Sequence, residues 1–174
     1  GLALTIFLFD ALAYLSLLVL SIWLDSLVLK AGVSLALGLM IGLLFIVGHD
    51  CCHGSFMTDK HWNRWVGTLA FLPALHGFKL WDLGHNRTHH CFTNLSTEDY
   101  VFTPLSPAEY RALNYLEKLR YRVYRSIPGH LLYYLVEIWA MKMVFPHRSI
   151  PRIGEVKAYR ADTIILFLYI AFII

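Results

Sequence analysis

The chain has 174 residues, 57% of them hydrophobic and 16% charged, which is poorer in charge than a soluble globular domain with about a quarter of its residues ionised. Its net charge is only +3, yet fourteen of the fifteen lysines and arginines lie between residues 49 and 161. A basic middle in so apolar a chain reads as the cytoplasmic surface of an integral membrane protein, with one domain and no nucleic-acid partner.

In chain order, Leu2 to Leu24 is a run of 23 residues with a single charge, Asp10. As a helix it reaches about 34 Å, enough to cross a hydrocarbon core of about 30 Å. Asp10 is expected to face protein or the polar rim, because a carboxylate facing lipid is costly. Asp25-Ser26 predicts a tight turn, and Leu27 to Val47 a second span that closes a transmembrane hairpin. Gly38 and Gly42 form a small-xxx-small pair suited to close helix packing. Ser55 to Trp65 is polar and aromatic, with Asp59 placed as an N-cap and Trp62 and Trp65 three apart on one face, the pattern of an interfacial helix. Val66 to Leu75 is apolar but too short to span and contains Pro73, so it predicts a shallow or buried segment.

Cys91 to Thr103 reads as a polar connection. Ser106-Pro107-Ala108-Glu109 is a strong helix start, with serine as N-cap, proline at the first helical position and glutamate at the third. That helix is expected to run to about Tyr124, offering Arg111, Lys118, Arg120, Arg122 and Arg125 to lipid phosphates, and Pro128-Gly129 ends it. His130 to Phe145 is apolar but carries Glu137 and Lys142. As a third span it would put Arg148, Arg152, Lys157 and Arg160 outside, so a helix lying in the interface is preferred. Ala161 to Ile174 then begins a further transmembrane helix of about 21 Å, too short by itself to cross. The chain starts at Gly1 and ends inside this run, so residues are expected to be missing at both ends. The fold class is all-α: a membrane protein with a transmembrane hairpin, cytosolic or interfacial helices, and the start of another span.

The chemistry concentrates between His49 and His90, which holds seven of the nine histidines. His49 and His53 are four apart, as are His85 and His89, and residues four apart share a helix face. Each cluster can aim two imidazoles at one point, and His90 adds a third from a neighbouring direction. Convergent imidazoles suit iron, zinc, copper or nickel. Cys51, Cys52 and Cys91 flank the clusters and make a mixed Cys/His zinc site the serious rival. Five imidazoles exceed what one tetrahedral zinc needs and suit two ions. Asp50, Asp82, Asn86 and Asp99 could orient the rings, and Phe56, Trp81, Leu83 and Phe92 could line an entry. The remaining histidines, His61, His76, His130 and His147, read as structural or supporting.

The pattern His49-x-x-x-His53 followed by His85-x-x-x-His89-His90 resembles the membrane fatty acid desaturases. The surrounding words HDCCHGSF and LGHNRTHHCFTN look like the acyl-lipid branch, the delta-12 or omega-6 type among them. The resemblance makes residues 1–174 a partial desaturase domain. It implies a di-iron enzyme that uses O2 and two electrons to remove two hydrogens from neighbouring methylenes of a fatty acid or acyl-lipid. A ferredoxin or small cytochrome would donate the electrons. By that resemblance His49, His53, His85, His89 and His90 ligate two iron ions; the basic middle puts them on the cytoplasmic side, and with five imidazoles the cysteines are not required as ligands. The family's third box, His-x-x-His-His, has no match after His90, which the resemblance attributes to a C-terminal truncation that leaves the catalytic unit incomplete.

Rival readings are a related di-iron hydroxylase, ketolase or alkane monooxygenase, and, from another class, a membrane metal-binding or transport protein. A transporter would place polar ligands at mid-membrane depth, where only Asp10 lies. A zinc hydrolase would want the glutamate of His-Glu-x-x-His, and position 50 is aspartate.

Overall fold

The computed structural model describes residues 1–93, 95, 99, 104–144 and 159–174, and the segment predicted to carry His147, Arg148, Arg152 and Lys157 lies outside them. The described residues form helices and connecting turns with no strand among them. They group into two compact units, residues 1–78 with 159–174, and residues 79–158.

In the first unit, α1 (Leu2–Trp23) and α2 (Leu27–Cys52) pack as a helical hairpin joined by three residues, of which Leu24 and Ser26 are extended. Both are long and apolar enough to cross a membrane. Their outward leucines are bare, Leu12 at 64%, Leu35 at 75% and Leu39 at 69% exposure, as lipid-facing side chains would be. Asp10 faces inward as expected and is 6% exposed. α2 continues five residues past the predicted end at Val47. The helix continues without a break from the apolar run into a last turn that carries His49 and Asp50.

α2 stops at a left-handed cap. Gly54 sits at φ +69°, where a side chain would strain the backbone. Its N–H bonds the Cys51 carbonyl at 3.0 Å, while the Ser55 N–H bonds the Asp50 carbonyl at 3.1 Å, the paired pattern of a Schellman cap.

The predicted polar segment 55–65 and apolar segment 66–75 meet within one helix, α3 (Lys60–Phe71). Asp59 caps it as expected, accepting from the His61 N–H at 2.7 Å and the Trp62 N–H at 3.2 Å. Asn63, Val66, Gly67, Ala70 and Phe71 form the buried face, and Trp62 and Trp65 the exposed one. The two segments fuse because the apolar residues after Trp65 continue the buried stripe of the polar part.

α3 packs on α2. A Cβ at Gly67 would overlap the Phe78 ring and come within 2.7 Å of Cys51 Cβ, and one at Gly48 would stand 2.6 Å from the Phe71 ring. Those two glycines, and not the predicted Gly38/Gly42 pair, permit the close approach. At Gly38 and Gly42 nothing among the described residues lies within 4 Å. α2 meets α3 near its C-terminal end, and its middle at Gly38 and Gly42 is open.

The last helix, α9 (Tyr159–Ile173), begins two residues before the predicted start of the further span. It joins this unit through the Tyr169 and Tyr14 hydroxyls, 2.6 Å apart.

The second unit, from Lys79 on, contains the rest of the described helices, the first of them starting at Phe78. α4 (Phe78–Trp81) runs on into a wide-wound stretch, π1 (Asp82–His89), and then α5 (His90–Phe92). The capping box at Ser106 is present as predicted, but its helix is short. α6 (Pro107–Ala112) ends at an extended Leu113, and a second box starts α7 (Tyr115–Tyr124). There the Asn114 side chain accepts from the Glu117 N–H at 3.0 Å and the Glu117 carboxylate accepts from the Asn114 N–H at 2.9 Å. Two reciprocal boxes eight residues apart make two helices where the start at Ser106 and the stop at Pro128-Gly129 predicted one. α8 (Gly129–Tyr133) and the wide-wound π2 (Tyr134–Val144) make residues 130–144 helical, with Glu137 taking the Tyr124 hydroxyl as hydrogen-bond donor.

Candidate metal centre

The first histidine cluster sits on the last turn of α2 and its cap. The i, i+4 spacing predicted from sequence holds, because the turn is α-helical up to Cys52. The Nε2 atoms of His49 and His53 stand 3.3 Å apart, with ring centroids 4.5 Å apart and planes at 67°. His49 Nδ1 lies 3.3 Å from the Asp50 carboxylate. A ring that donates Nδ1–H to a carboxylate keeps a lone pair on Nε2, which is the atom turned toward His53.

In the second cluster the backbone is not α-helical, as the i, i+4 reading assumed, although His85 and His89 remain ring neighbours. Residues 82–89 wind with i→i−5 bonding: the His90 N–H reaches the His85 carbonyl. Side chains repeat the interval, Thr88 Oγ1 donating to the Leu83 carbonyl at 2.9 Å and Cys91 Sγ to the Asn86 carbonyl at 3.4 Å. A wider turn brings residues five apart onto one face. His85 therefore pairs with His90, their Nε2 atoms 3.0 Å apart and their rings nearly perpendicular at 87°. The His89 ring stacks on His85 with centroids 5.8 Å apart and stands 5.7 Å from His90, while its Nδ1 meets the buried Asp99 carboxylate at 2.9 Å.

Three further contacts lie in this cluster. Trp81 stacks on the His85 ring at 4.9 Å and 23°. Asp82, expected as a ring orienter, accepts instead from Asn86 Nδ2 at 3.1 Å and Arg87 Nε at 3.3 Å. Among the described residues the imidazoles grouped as potential metal ligands are His49 with His53 and His85 with His90.

The donor set fits a metal ion. Two nitrogens each about 2.1 Å from one ion stand roughly 3.0 Å apart at a right angle and roughly 3.4 Å apart at the tetrahedral angle. The observed 3.0 and 3.3 Å are those separations, and imidazole nitrogens suit iron as well as zinc. The cysteines are engaged elsewhere. Cys51 is 2% exposed under Gly67, Cys52 Sγ points to the Phe78 carbonyl at 3.8 Å, and Cys91 bonds within its own helix.

The other histidines sort by burial. His76 is 3% exposed, donates Nδ1–H to the Ala74 carbonyl at 2.6 Å and lies edge-on to Phe45. Burial pushes its pKa down to about 4. His61 and His130 are exposed. Below the first cluster, a cavity of about 360 Å³ is lined by Ile6, Asp10, Leu43, Ile46, Asp50 and Phe56.

Sequence reasoning missed the stack of Trp81 on His85 and the His85–His90 partnership. The signal for the second was present: the doublet His89-His90 supplies both an i+4 and an i+5 partner to His85, and spacing does not say which winding the backbone takes.

Comparison with known proteins agrees with the chemistry. The family model described as fatty acid desaturase matches residues 25–174. An sn-1 acyl-lipid omega-3 desaturase (ferredoxin) of Synechocystis sp. is 38% identical over 96 residues, which are 55% of this chain and 26% of that protein. An sn-1 oleoyl-lipid 12-desaturase of Picosynechococcus sp. is 40% identical over 102 residues, 58% of this chain and 28% of that protein. A chloroplastic omega-6 fatty acid desaturase of Arabidopsis thaliana is 38% identical over 81 residues, 47% of this chain and 18% of that protein. The chain thus spans about a quarter or less of the length of these relatives. No solved structure matches it.

Proposed function

Because this chain belongs to the fatty acid desaturase family, we propose that it contributes histidine ligands to a di-iron centre that desaturates an acyl chain. The observation that carries this reading is the pairing of imidazoles, His49 with His53 and His85 with His90, at separations that suit shared ions. His89 is the fifth ligand, through its Nε2, since its Nδ1 is held by Asp99. Bound iron supplies the activation of O2 that abstraction from an unactivated methylene requires.

The protein's own groups do the positioning. Asp50 and Asp99 hold Nδ1 of His49 and His89 and so leave Nε2 as the donor atom. Trp81 fixes the plane of His85. The substrate is an acyl-lipid or fatty acyl chain, by likeness to the relatives named for such lipids. The cavity beside Asp50, walled mostly by aliphatic and aromatic side chains, supports entry of an alkyl chain from the bilayer. O2 is the oxidant, and a ferredoxin or small cytochrome donates two electrons from the cytoplasmic side, where the basic middle of the chain favours the clusters.

The test uses the full-length protein in membranes supplied with iron, O2 and reduced ferredoxin. The expected product has lost two hydrogens and gained a double bond. A product that has gained oxygen would mean a hydroxylase instead. His85→Ala and His90→Ala should each abolish product while the protein still inserts, and wild-type turnover in either would overturn the ligand assignment. Stoichiometric zinc without iron in the purified protein would overturn the cofactor.

A further inference from the structure

α7 sorts its side chains the opposite way from a helix in water. Residues three and four apart share a helix face. One face carries Leu116, Leu119 and Val123, which are 72%, 48% and 40% exposed. The other carries Tyr121 and Arg125, both half-buried. The Tyr121 hydroxyl accepts the Leu105 N–H at 3.3 Å, its ring lies 5.5 Å from Tyr110, and the Arg125 guanidinium stands 5.3 Å from its centroid. The hydroxyl and the charge point in and the aliphatic groups point out, whereas a surface helix bordered by water turns its apolar stripe to the core.

This orientation is locked. Arg122 Nε donates to the Tyr110 hydroxyl at 2.6 Å and Lys118 Nζ to the Arg111 carbonyl at 3.0 Å, tying α7 to α6. The Asn114–Glu117 capping box fixes where the helix starts. Rolling the leucines inward would break the contacts to Leu105 and α6. Just past the helix, Ile127 is 92% exposed and extends the outward apolar surface.

The same stretch is basic. Residues 107–125 carry five lysines and arginines against two glutamates. Arg111 and Arg120 are exposed. An outward aliphatic stripe set in basic surroundings complements the boundary between acyl chains and anionic headgroups.

We propose that α7 lies in the interface of a bilayer containing acidic phospholipid. Leu116, Leu119 and Val123 enter the acyl boundary, and Arg111 and Arg120 reach the headgroup phosphates. An acidic soluble protein would satisfy the charges and leave the aliphatic stripe without a partner, so the lipid surface accounts for both features. The proposal stands apart from the desaturase reading and holds for any activity of the second unit.

The experiment places a photoreactive benzoylphenylalanine at position 119, 123 or 121 of the full-length protein. The protein is reconstituted in phosphatidylcholine vesicles with or without phosphatidylglycerol. The probes at 119 and 123 should form lipid adducts, several-fold more with phosphatidylglycerol present. The probe at 121 should crosslink to α6, reporting that the helix is seated. Crosslinks from 119 to polypeptide, whether a second copy, an added electron-donor protein or another part of the chain, would overturn the proposal, as would no adduct from 119 in a seated helix. A second measurement needs no variant. Trypsin should cut the unmodified protein after Lys118, Arg120 and Arg122 several-fold more slowly in acidic than in neutral vesicles, and equal rates would overturn the proposal.

Discussion

His76 is the residue whose ionisation most plainly opposes folding. Its ring is buried against Phe45 and Phe71, and burial alone explains the fall of its pKa from 6.5 to about 4, since the hydrogen bond to Ala74 acts the other way. The unfolded ring takes up a proton near pH 6.5 and the folded ring only near 4. The stability that depends on a neutral ring is therefore complete above about pH 6.5 and lost as pH falls toward about 4, on the order of 3 kcal/mol in all. Denaturant unfolding in micelles across that window should show the loss, and His76→Leu should flatten it. Asp99 makes a different prediction, because it is buried and holds Nδ1 of the proposed ligand His89. Asp99→Asn should lower iron affinity by about tenfold or more, with partial recovery in Asp99→Glu, measured as iron per chain after dialysis against a chelator. Unchanged iron content would remove His89 from the ligand set.

Among the elements, the contact of α2 with α3 is set by two glycines under aromatic rings. Gly67→Ala and Gly48→Ala place a methyl where the rings of Phe78 and Phe71 already lie, and each should destabilise the first unit by about 1–3 kcal/mol. Gly38→Ala and Gly42→Ala meet open space in mid-helix and should be neutral or stabilising by up to about 1 kcal/mol. Thermal unfolding of the four variants checks the contrast, and equal losses at all four would mean that the middle of α2 is packed after all. In the second unit the reciprocal caps at Ser106 and Asn114 divide what would otherwise be one helix. Asn114→Ala removes the acceptor for the Glu117 N–H and should cost about 1 kcal/mol, visible as faster amide exchange at Glu117.

For the molecule as a whole, the two apolar helices and the family place the chain in the membrane. The hairpin of α1 and α2 should resist extraction by alkaline carbonate. The proposed cytoplasmic placement of the boxes predicts that single cysteines introduced at positions 60 and 115, with the native thiols blocked, label from the cytoplasmic face. Labelling of the two from opposite faces would require another crossing between them.

Much of this was legible in the sequence, because some signals are local. A long apolar run makes a span, Asp59 and Ser106 cap helices through bonds to residues two or three ahead, and two histidine pairs at helical spacing announce a metal-binding chemistry. Those features depend on backbone geometry within a turn or two, which a linear pattern encodes. What only the tertiary structure decided depends on neighbours that the pattern does not name. Spacing could not say that His85 takes His90 rather than His89, since that choice follows from a backbone wound with i→i−5 bonds and from Asp99, ten residues on, claiming His89. Nor could it tell Gly48 and Gly67 from Gly38 and Gly42. All four are small residues in helices, and only the pairs brought against Phe71 and Phe78 carry a packing role. The outward leucines of α7 are the sharpest case: periodicity shows that a helix has an apolar face, and only the tyrosines packed behind it show which way that face turns.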